Sequence, residues 1–381
     1  MSWETVALGD VASLDRRTVL PREISGAVSY IGLEHIARGG EILGFSTVEK
    51  SKLTSAKFSF DATHVLFGKL RPNLGKVARP AFDGVCSTDI IPVKAGSRLH
   101  RDYLVWYLRQ PQIVGLAASQ ATGANLPRLN PRALAAFPVP LPPLSEQRRI
   151  AAILDHADEI RTKRRELLAH LDELPQALFV EMFGDPGVPQ NSFPRSPLGE
   201  LGTILTGNTP SRSIAENFGP GMEWVKSDNL GGAIITPAVE HLSLAGQQKA
   251  RIAPAGSVLV VCIAGSPASI GRASVADRVV AFNQQINAIL PTPRLDPIFL
   301  FHQFRTAPRL VQAKSTGGMK GLVSKSAFSA VEIVHPPLVD QQAFATKVKA
   351  IQAERDLVAR ALEADNELFD ALQYRAFRGE L

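Results

Sequence analysis

The sequence predicts an α+β protein in which two repeated globular domains are joined and spaced by two long helices packed as an antiparallel coiled coil. Three observations carry that expectation. Residues 142–184 and 338–381 each repeat apolar positions at alternating steps of three and four, the spacing that keeps one helix face on a partner helix. Each stretch has a matching lead-in, FPVPLPPLSEQRRIA at 137–151 and VEIVHPPLVDQQAFA at 331–345. The segments before them, 1–141 and 198–337, share local patterns in the same order, so the chain is an internal repeat.

Composition sets the frame. A chain of 381 residues has room for two or three domains, and 45% hydrophobic residues can build a core in each, which excludes a disordered tail. The net charge of +6 favours a polyanionic partner without defining one. Cys86 and Cys262 lie at similar places in the two halves, inside apolar strand-like runs. Buried free thiols are expected there rather than a disulfide, and reducing surroundings suit them. The start, MSWETVALGDVASLDRR, lacks a basic region followed by an apolar one, and no run approaches the length of a membrane span. A cytoplasmic protein is expected, with no membrane partner.

In chain order, Trp3 to Ala12 opens the first domain, followed by strands expected at Val28–Leu33, Val65–Phe67 and Val85–Val93. Between the last two lies GKLRPNLGKVARP at 68–80. Arg101–Arg109 reads as an amphipathic helix, and QATGANLPRLNPRAL at 120–134 as a polar loop. In the central helix, 142–184, Pro142 and Pro143 stop an extended segment, Ser145 can cap, and Glu146, Gln147 and Arg148 fill the first turn. Its packing stripe is Ile150, Ile153, Ala157, Ile160, Leu167, Leu171, Leu174 and Leu178, interrupted by Arg164. At 1.5 Å per residue it would run roughly 55 Å, too long for one small core. Pro175 is expected to kink it or mark a break near its end.

Residues 185–197, with Pro186, Pro189, Pro194 and Pro197, read as a linker. The second domain, 198–337, then repeats the first: LGELGTILTG answers LGDVASLDR, MEWVKSDNL answers VSYIGLEHI, and GSVLVVCIAGSPASIGRASV answers THVLFGKLRPNLGKVARP. VVAFNQQINAILP answers FDGVCSTDIIPVK, and DPIFLFHQFR answers RDYLVWYLR. The terminal helix, 338–381, carries Phe344, Val348, Ile351, Val358, Leu362, Phe369 and Leu372 on its stripe, with Arg355 and Asp365 at two stripe positions. Arg164, Arg355 and Asp365 are candidates to pair across the seam and set register.

The chain has no GxxxxGK phosphate loop, HExxH metal site, GxSxG elbow or GxGxxG turn, and its eight histidines show no metal-ligand spacing. No catalytic residue and no metal ligand is therefore nominated. The nearest approach to an adenine methyltransferase tetrapeptide, Asn130-Pro131-Arg132-Ala133, lacks the second proline and the aromatic. What remains is a set of donors and acceptors suited to nucleic acid. In the first domain these are Lys69, Arg71, Asn73, Lys76, Arg79, Asn125, Arg128 and Asn130. In the second they are Arg212, Lys226, Asp228, Asn229, Arg272, Asn283, Gln284, Gln285, Lys314, Lys320 and Lys325. Arg and Lys neutralise phosphates or contact guanine, while Asn and Gln pair with adenine. Each loop alone also reads as ordinary solvated surface; the recurrence in both domains favours an interface.

At PVPLPPLSEQRRIAAIL, the matching HPPLVDQQAFATKV and the terminal Ala376-Phe377-Arg378-Gly379-Glu380-Leu381, the chain resembles the specificity subunits of type I restriction-modification systems over nearly its whole length. The resemblance implies two target-recognition domains, 1–141 and 198–337, each reading one half of a split, asymmetric double-stranded DNA target. It implies that the helices act as a ruler for the spacer and hold two adenine-N6 DNA methyltransferase subunits, joined in complexes that cleave by two restriction subunits. By the same resemblance this chain is non-catalytic and holds no cofactor. S-adenosylmethionine belongs to the methyltransferase partner, and ATP and Mg to any restriction partner. One departure is Val339-Asp340-Gln341-Gln342-Ala343, less regular than Ser145-Glu146-Gln147-Arg148-Arg149. The alternative reading is a structural protein-interaction scaffold without specific DNA readout.

Overall fold

The structure, a computed structural model, describes residues 3–24, 27–48, 53–188, 193–316 and 321–381. The chain forms two compact units, Met1–Arg165 with Arg360–Leu381, and Glu166–Ala359. The central helix runs Leu144–Phe183 and the terminal helix Leu338–Ala376, so each unit holds one globular domain and a portion of both long helices.

In the first unit a four-stranded antiparallel sheet has the order Ala12–Leu14, Ile90–Ala95, His64–Gly68, Val77–Ala78. The second unit repeats it with Ile204–Thr206, Ile286–Ile289, Val258–Val261, Ala273–Val275. Beside each lies a second sheet containing one parallel pair, Ser29–Ile31 with Gly84–Cys86 in the first unit and Phe218–Val225 with Val280–Phe282 in the second. The two ends of each domain are tied together: Thr5–Ala7 pairs with Pro138–Pro140, and Arg195–Pro197 with Glu332–Val334. Cys86 and Cys262 are free and buried, and burial pushes both thiols up, but they are not at similar places: Cys86 matches Phe282 and Cys262 matches Lys69.

Several local expectations change. Val85–Val93 is two strands in different sheets, because the chain turns at Ser87, whose carbonyl accepts from the Ile90 N–H at 2.9 Å. The expected polar loop at 120–134 holds a hairpin, Ala121–Thr122 with Arg128–Leu129, and a short helix, Pro131–Ala135. Arg195–Pro197, within the proline-rich stretch read as linker, is a strand; a two-stranded edge tolerates proline because the carbonyl still pairs. The central helix continues through Pro175.

Each long helix is anchored at its start by a buried glutamine. Ser145 lies inside the first turn rather than capping it. Gln147 takes over the tie: its Oε1 accepts from the His100 N–H at 2.7 Å, and its Nε2 donates to the carbonyls of Pro142 at 2.8 Å and Arg98 at 2.9 Å. Gln341 repeats this, accepting from the Asp296 N–H at 2.9 Å and donating to Pro336 at 2.9 Å and Arg294 at 3.2 Å. His100 and Asp296 are the N-cap residues of the domain helices Arg101–Arg109 and Pro297–Thr306. The PPL-x-acid-Gln lead-in thus fastens each long helix to its domain.

Within each unit the start of one long helix lies beside the end of the other, so the two run antiparallel. In the first, Ile150 and Leu154 from the central helix join Phe369 and Phe377 from the end of the chain in one core with the domain helix. The Phe377 ring lies 5.0 Å from Tyr103 and the Phe369 ring 5.4 Å from Trp106. In the second, Phe179 and Phe183 meet Phe344 and the domain-helix Phe299, with Phe183 and Phe299 centred 5.0 Å apart.

Along the terminal helix Phe344, Val348, Val358 and Phe369 are buried, and Ile351, Leu362 and Leu372 half-buried. On the central helix Ile150 is buried and Ile153, Ala157, Leu171 and Leu178 are half-buried, but Ile160, Leu167 and Leu174 are 37%, 43% and 44% exposed. The packed face is turned by about one position, through Leu154, Arg161, Leu168 and Phe179. Arg161 belongs to it because its guanidinium lies 3.4 Å from the Phe369 ring centre, packing a flat cation as if it were apolar. Arg164 pairs with Asp365 in the first unit, and Arg355 with Asp172 at 2.5 Å in the second.

Replacing Gln147 or Gln341 by Leu strands one buried N–H and two carbonyls. Each variant is expected to lose roughly 2–4 kcal/mol of stability, read as a lower midpoint in urea unfolding followed by circular dichroism.

Candidate nucleic-acid interface

Four turns converge in each unit, linked by matching hydrogen bonds. The first is a single 3-10 turn, Leu33–His35 or Ser227–Asn229, closed when the third side chain accepts from the backbone N–H before the turn: His35 Nδ1 from Gly32 at 3.0 Å, Asn229 Oδ1 from Lys226 at 2.9 Å. The second follows the central sheet strand, and the third connects the two sheets at Ser87–Asp89 or Asn283–Gln285. The Lys69 N–H donates to the Asp89 carbonyl at 2.9 Å, as the Cys262 N–H donates to Gln285 at 2.8 Å. The fourth is the hairpin region: Leu129 N–H donates to the Lys69 carbonyl at 2.9 Å, and Val323 N–H to Cys262 at 2.8 Å. A basic side chain closes the set in both, Lys76 donating to the Leu33 carbonyl at 2.7 Å and Arg272 to Ser227 at 2.8 Å.

The nominated residues separate by whether these contacts occupy them. In the first unit Arg71, Asn73 and Asn125 are exposed and Lys69 is half-buried. Arg71 has φ of 50°, a left-handed conformation disfavoured for a side chain with a Cβ; its N–H is held by the Pro127 carbonyl at 2.8 Å. Arg128 forks onto Asp89 at 2.9 and 3.2 Å, and those bonds with the carboxylate charge hold its pKa above the ordinary value. Asn130 caps the helix Pro131–Ala135, accepting from the Arg132 N–H at 2.9 Å.

Arg79, a candidate for this surface from its sequence position, is engaged elsewhere. Its guanidinium meets Asp155 on the central helix at 2.6 and 3.0 Å and Asp102 at 3.2 Å. Burial works against its charge, but the bonds and charges of Asp155 and Asp102 outweigh it and hold the pKa above the ordinary value. Those partners lie against the domain helix, where Trp106 also donates to Asp155 at 2.9 Å, so Arg79 fastens the domain to its helix.

In the second unit Asp228, Gln284, Lys314 and Lys325 are exposed, and Arg272 is exposed with one nitrogen engaged. Lys320 lies outside the described residues. Asn283 is buried and, with Gln285, stabilises its own turn: Asn283 Nδ2 donates to Gln285 Oε1 at 3.0 Å, and the Gln285 N–H to Asn283 Oδ1 at 3.1 Å. Asn229 is likewise spent on its turn, donating also to the Pro237 carbonyl at 3.1 Å.

Arg212 and Lys226 share Glu240, whose carboxylate is held below the usual range by the Lys226 bond, against desolvation and with help from Arg212. Arg212 lies 5.1 Å from the Phe218 ring and 5.3 Å from Trp224, which Lys226 also faces at 5.2 Å. Trp224, Phe218, Glu240 and Asp89 are the side chains of this surface that sequence reasoning left out. They act on neighbours distant in sequence, and only the match of MEWVKSDNL to the strand-like VSYIGLEHI hinted at the strand that carries Trp224.

Two copies of one mixed α+β domain, each with a converging set of Arg-, Lys-, Asn- and Gln-bearing turns and each fastened to a pair of antiparallel helix segments, define a duplicated domain-and-helix protein. Residues 1–171 and 193–364 match the family model of the type I restriction modification DNA specificity domain, and the chain belongs to that family. It is 28% identical over 187 residues to the EcoDI type I restriction enzyme specificity subunit of Escherichia coli, covering 48% of this chain and 41% of that one. The match to the putative MjaX specificity subunit of Methanocaldococcus jannaschii is 24% identical over 379 residues, covering 92% of this chain and 86% of that one. In fold it is similar to the type I restriction-modification S subunit from M. genitalium, with a TM-score of 0.60 and 14% identity over 99% of this chain and 96% of that one.

Arg79→Ala leaves Asp155 with the Trp106 N–H but no cationic partner at a half-buried site and is expected to cost roughly 1–3 kcal/mol in urea unfolding, whereas Arg71→Ala should stay within about 0.5 kcal/mol.

Proposed function

We propose that this chain is the non-catalytic DNA-reading subunit of a type I methyltransferase or restriction complex. In this reading each unit's turn cluster contacts one half of a bipartite duplex. The observation that carries it is the recurrence of the same four turns, closed by equivalent hydrogen bonds, while the exposed side chains at matching positions differ: Thr88 against Gln284, Arg128 against Leu322. A common scaffold with different donors and acceptors is what reading two unlike half-sites requires. The residues best placed to contact DNA are Lys69, Arg71, Asn73, Asn125 and Arg128 in the first unit. In the second they are Arg212, Lys226, Asp228, Arg272, Gln284, Lys314 and Lys325.

The long helices supply the docking surface for two adenine-N6 methyltransferase subunits, which carry S-adenosylmethionine. Restriction subunits, with their ATP and Mg, join the same assembly where it cleaves. Apolar side chains left outside the seam support this: Ile160 and Leu368 in the first unit, Leu167, Leu174 and Leu357 in the second. Among the described residues no helix is long and apolar enough to cross a membrane.

Binding is measured with the chain assembled with its methyltransferase partner, on duplexes carrying the motif methylated in its host. Changing one base pair of either half-site should weaken binding roughly tenfold or more, and affinity should fall steeply with salt. Equal binding to all scrambled duplexes would leave the scaffold reading in its place. Inserting one heptad into both long helices should alter the preferred spacer while both half-sites are kept; an unchanged spacer in a folded variant refutes the ruler role.

A further inference from the structure

The two units can be aligned position by position through their hydrogen bonds, and one group of four breaks the repeat together. The Gln147 and Gln341 clasps make His100 equivalent to Asp296, so Asp102 matches Ile298, Trp106 matches His302, and Asp155 matches Lys349. The strand pairings Leu66 with Ala78 and Leu259 with Ser274 make Arg79 equivalent to Val275. In the first unit these four form the Arg79–Asp155–Trp106–Asp102 network that fills the space between sheet, domain helix and central helix. In the second unit all four replacements line a cavity of about 610 Å³, within the range of small-molecule sites.

Its chemistry follows from the replacements. Val275, Ile298 and Phe301 give apolar wall. His302 is only 5% exposed, its ring meets Phe301 and Phe344 edge-on, and its Nδ1 is buried without a hydrogen-bond partner. Burial, with Arg305 nearby, pushes its pKa down to about 4, so at neutral pH the ring is uncharged, with one donor and one acceptor nitrogen. The carboxylates around the cavity have partners: Asp172 and Asp356 meet Arg355, and Asp277 meets Arg278. Arg305 and Lys349 also line the cavity, and neither pairs with a carboxylate among the described residues. An apolar slot, a polar aromatic ring and two cations outside the ion pairs form a complementary set.

We infer that this cavity of the second unit is a binding site for a small aromatic anion, whose flat body takes the volume that the first unit fills with its own indole and guanidinium. Its anionic group lies toward Lys349 and Arg305, and its ring against His302, Ile298 and Val275. The site is separate from the turn cluster and requires no DNA.

The test is fluorescence titration of the purified full chain with 8-anilinonaphthalene-1-sulfonate and its uncharged counterpart N-phenyl-1-naphthylamine. Both should bind saturably at one site. His302→Trp, which restores the residue found at the equivalent position of the first unit, should abolish that site for both probes. Lys349→Glu, a surface change compatible with folding, should weaken the sulfonate by roughly fivefold or more and leave the neutral probe within about twofold. The proposal is overturned by absence of saturable binding to the wild-type chain, by unaltered titration of folded His302→Trp, or by Lys349→Glu changing both probes equally or neither.

Discussion

The buried glutamine at the start of each long helix is the interaction on which the rest of the structure depends. A helix whose outer turns are bathed in solvent has little to orient it, and its first N–H groups and the preceding carbonyls need partners. Gln147 and Gln341 meet that need with an acceptor to the N-cap residue of the domain helix and donors to two loop carbonyls. The same side chain thus ties the start of the long helix to the start of the domain helix. The aromatic contacts that follow, Phe369 and Phe377 with the Arg101–Arg109 helix and Phe179, Phe183 and Phe344 with Phe299, build on that alignment.

Duplication then lets the halves diverge without losing shape. The turns of the interface are closed by backbone groups or by any side chain with an acceptor in the right place, as His35 and Asn229 both demonstrate. Outward positions are consequently free to vary, which suits surfaces that must distinguish different partners. The same freedom acts inside: an ionic network around Trp106 in one unit is a cavity beside His302 in the other, while the enclosing strands and helices keep their pairings.

Much of the fold was legible because periodicity and order survive translation into structure. The repeat, both long helices, the Arg101–Arg109 helix and the terminal-helix stripe could be read from residue spacing alone. The central helix misled because it carries two overlapping apolar rows. The row through Ile160, Leu167 and Leu174 looked cleaner, whereas the packed one passes through Arg161, Arg164 and Pro175. A guanidinium stacked on Phe369 or paired with Asp365 counts as core only when its partner is known. Arg79 misled in the opposite sense: basic, in a glycine- and proline-rich stretch, it reads as a phosphate contact, yet its acid partner Asp155 lies on a distant helix.

By itself the sequence determined the architecture: a duplicated α+β domain, each copy followed by a long helix, with basic and amide-rich turns at matching places. Local spacing suffices for that, since helix period, strand alternation and turn residues are properties of short segments. Only the tertiary structure decided which face of the central helix packs, which of the candidate cations are spent on carboxylates, and where the halves differ inside. Those outcomes depend on residues brought together from far along the chain, such as Arg79 with Asp155 and Arg164 with Asp365, and no local pattern specifies whom a side chain will meet.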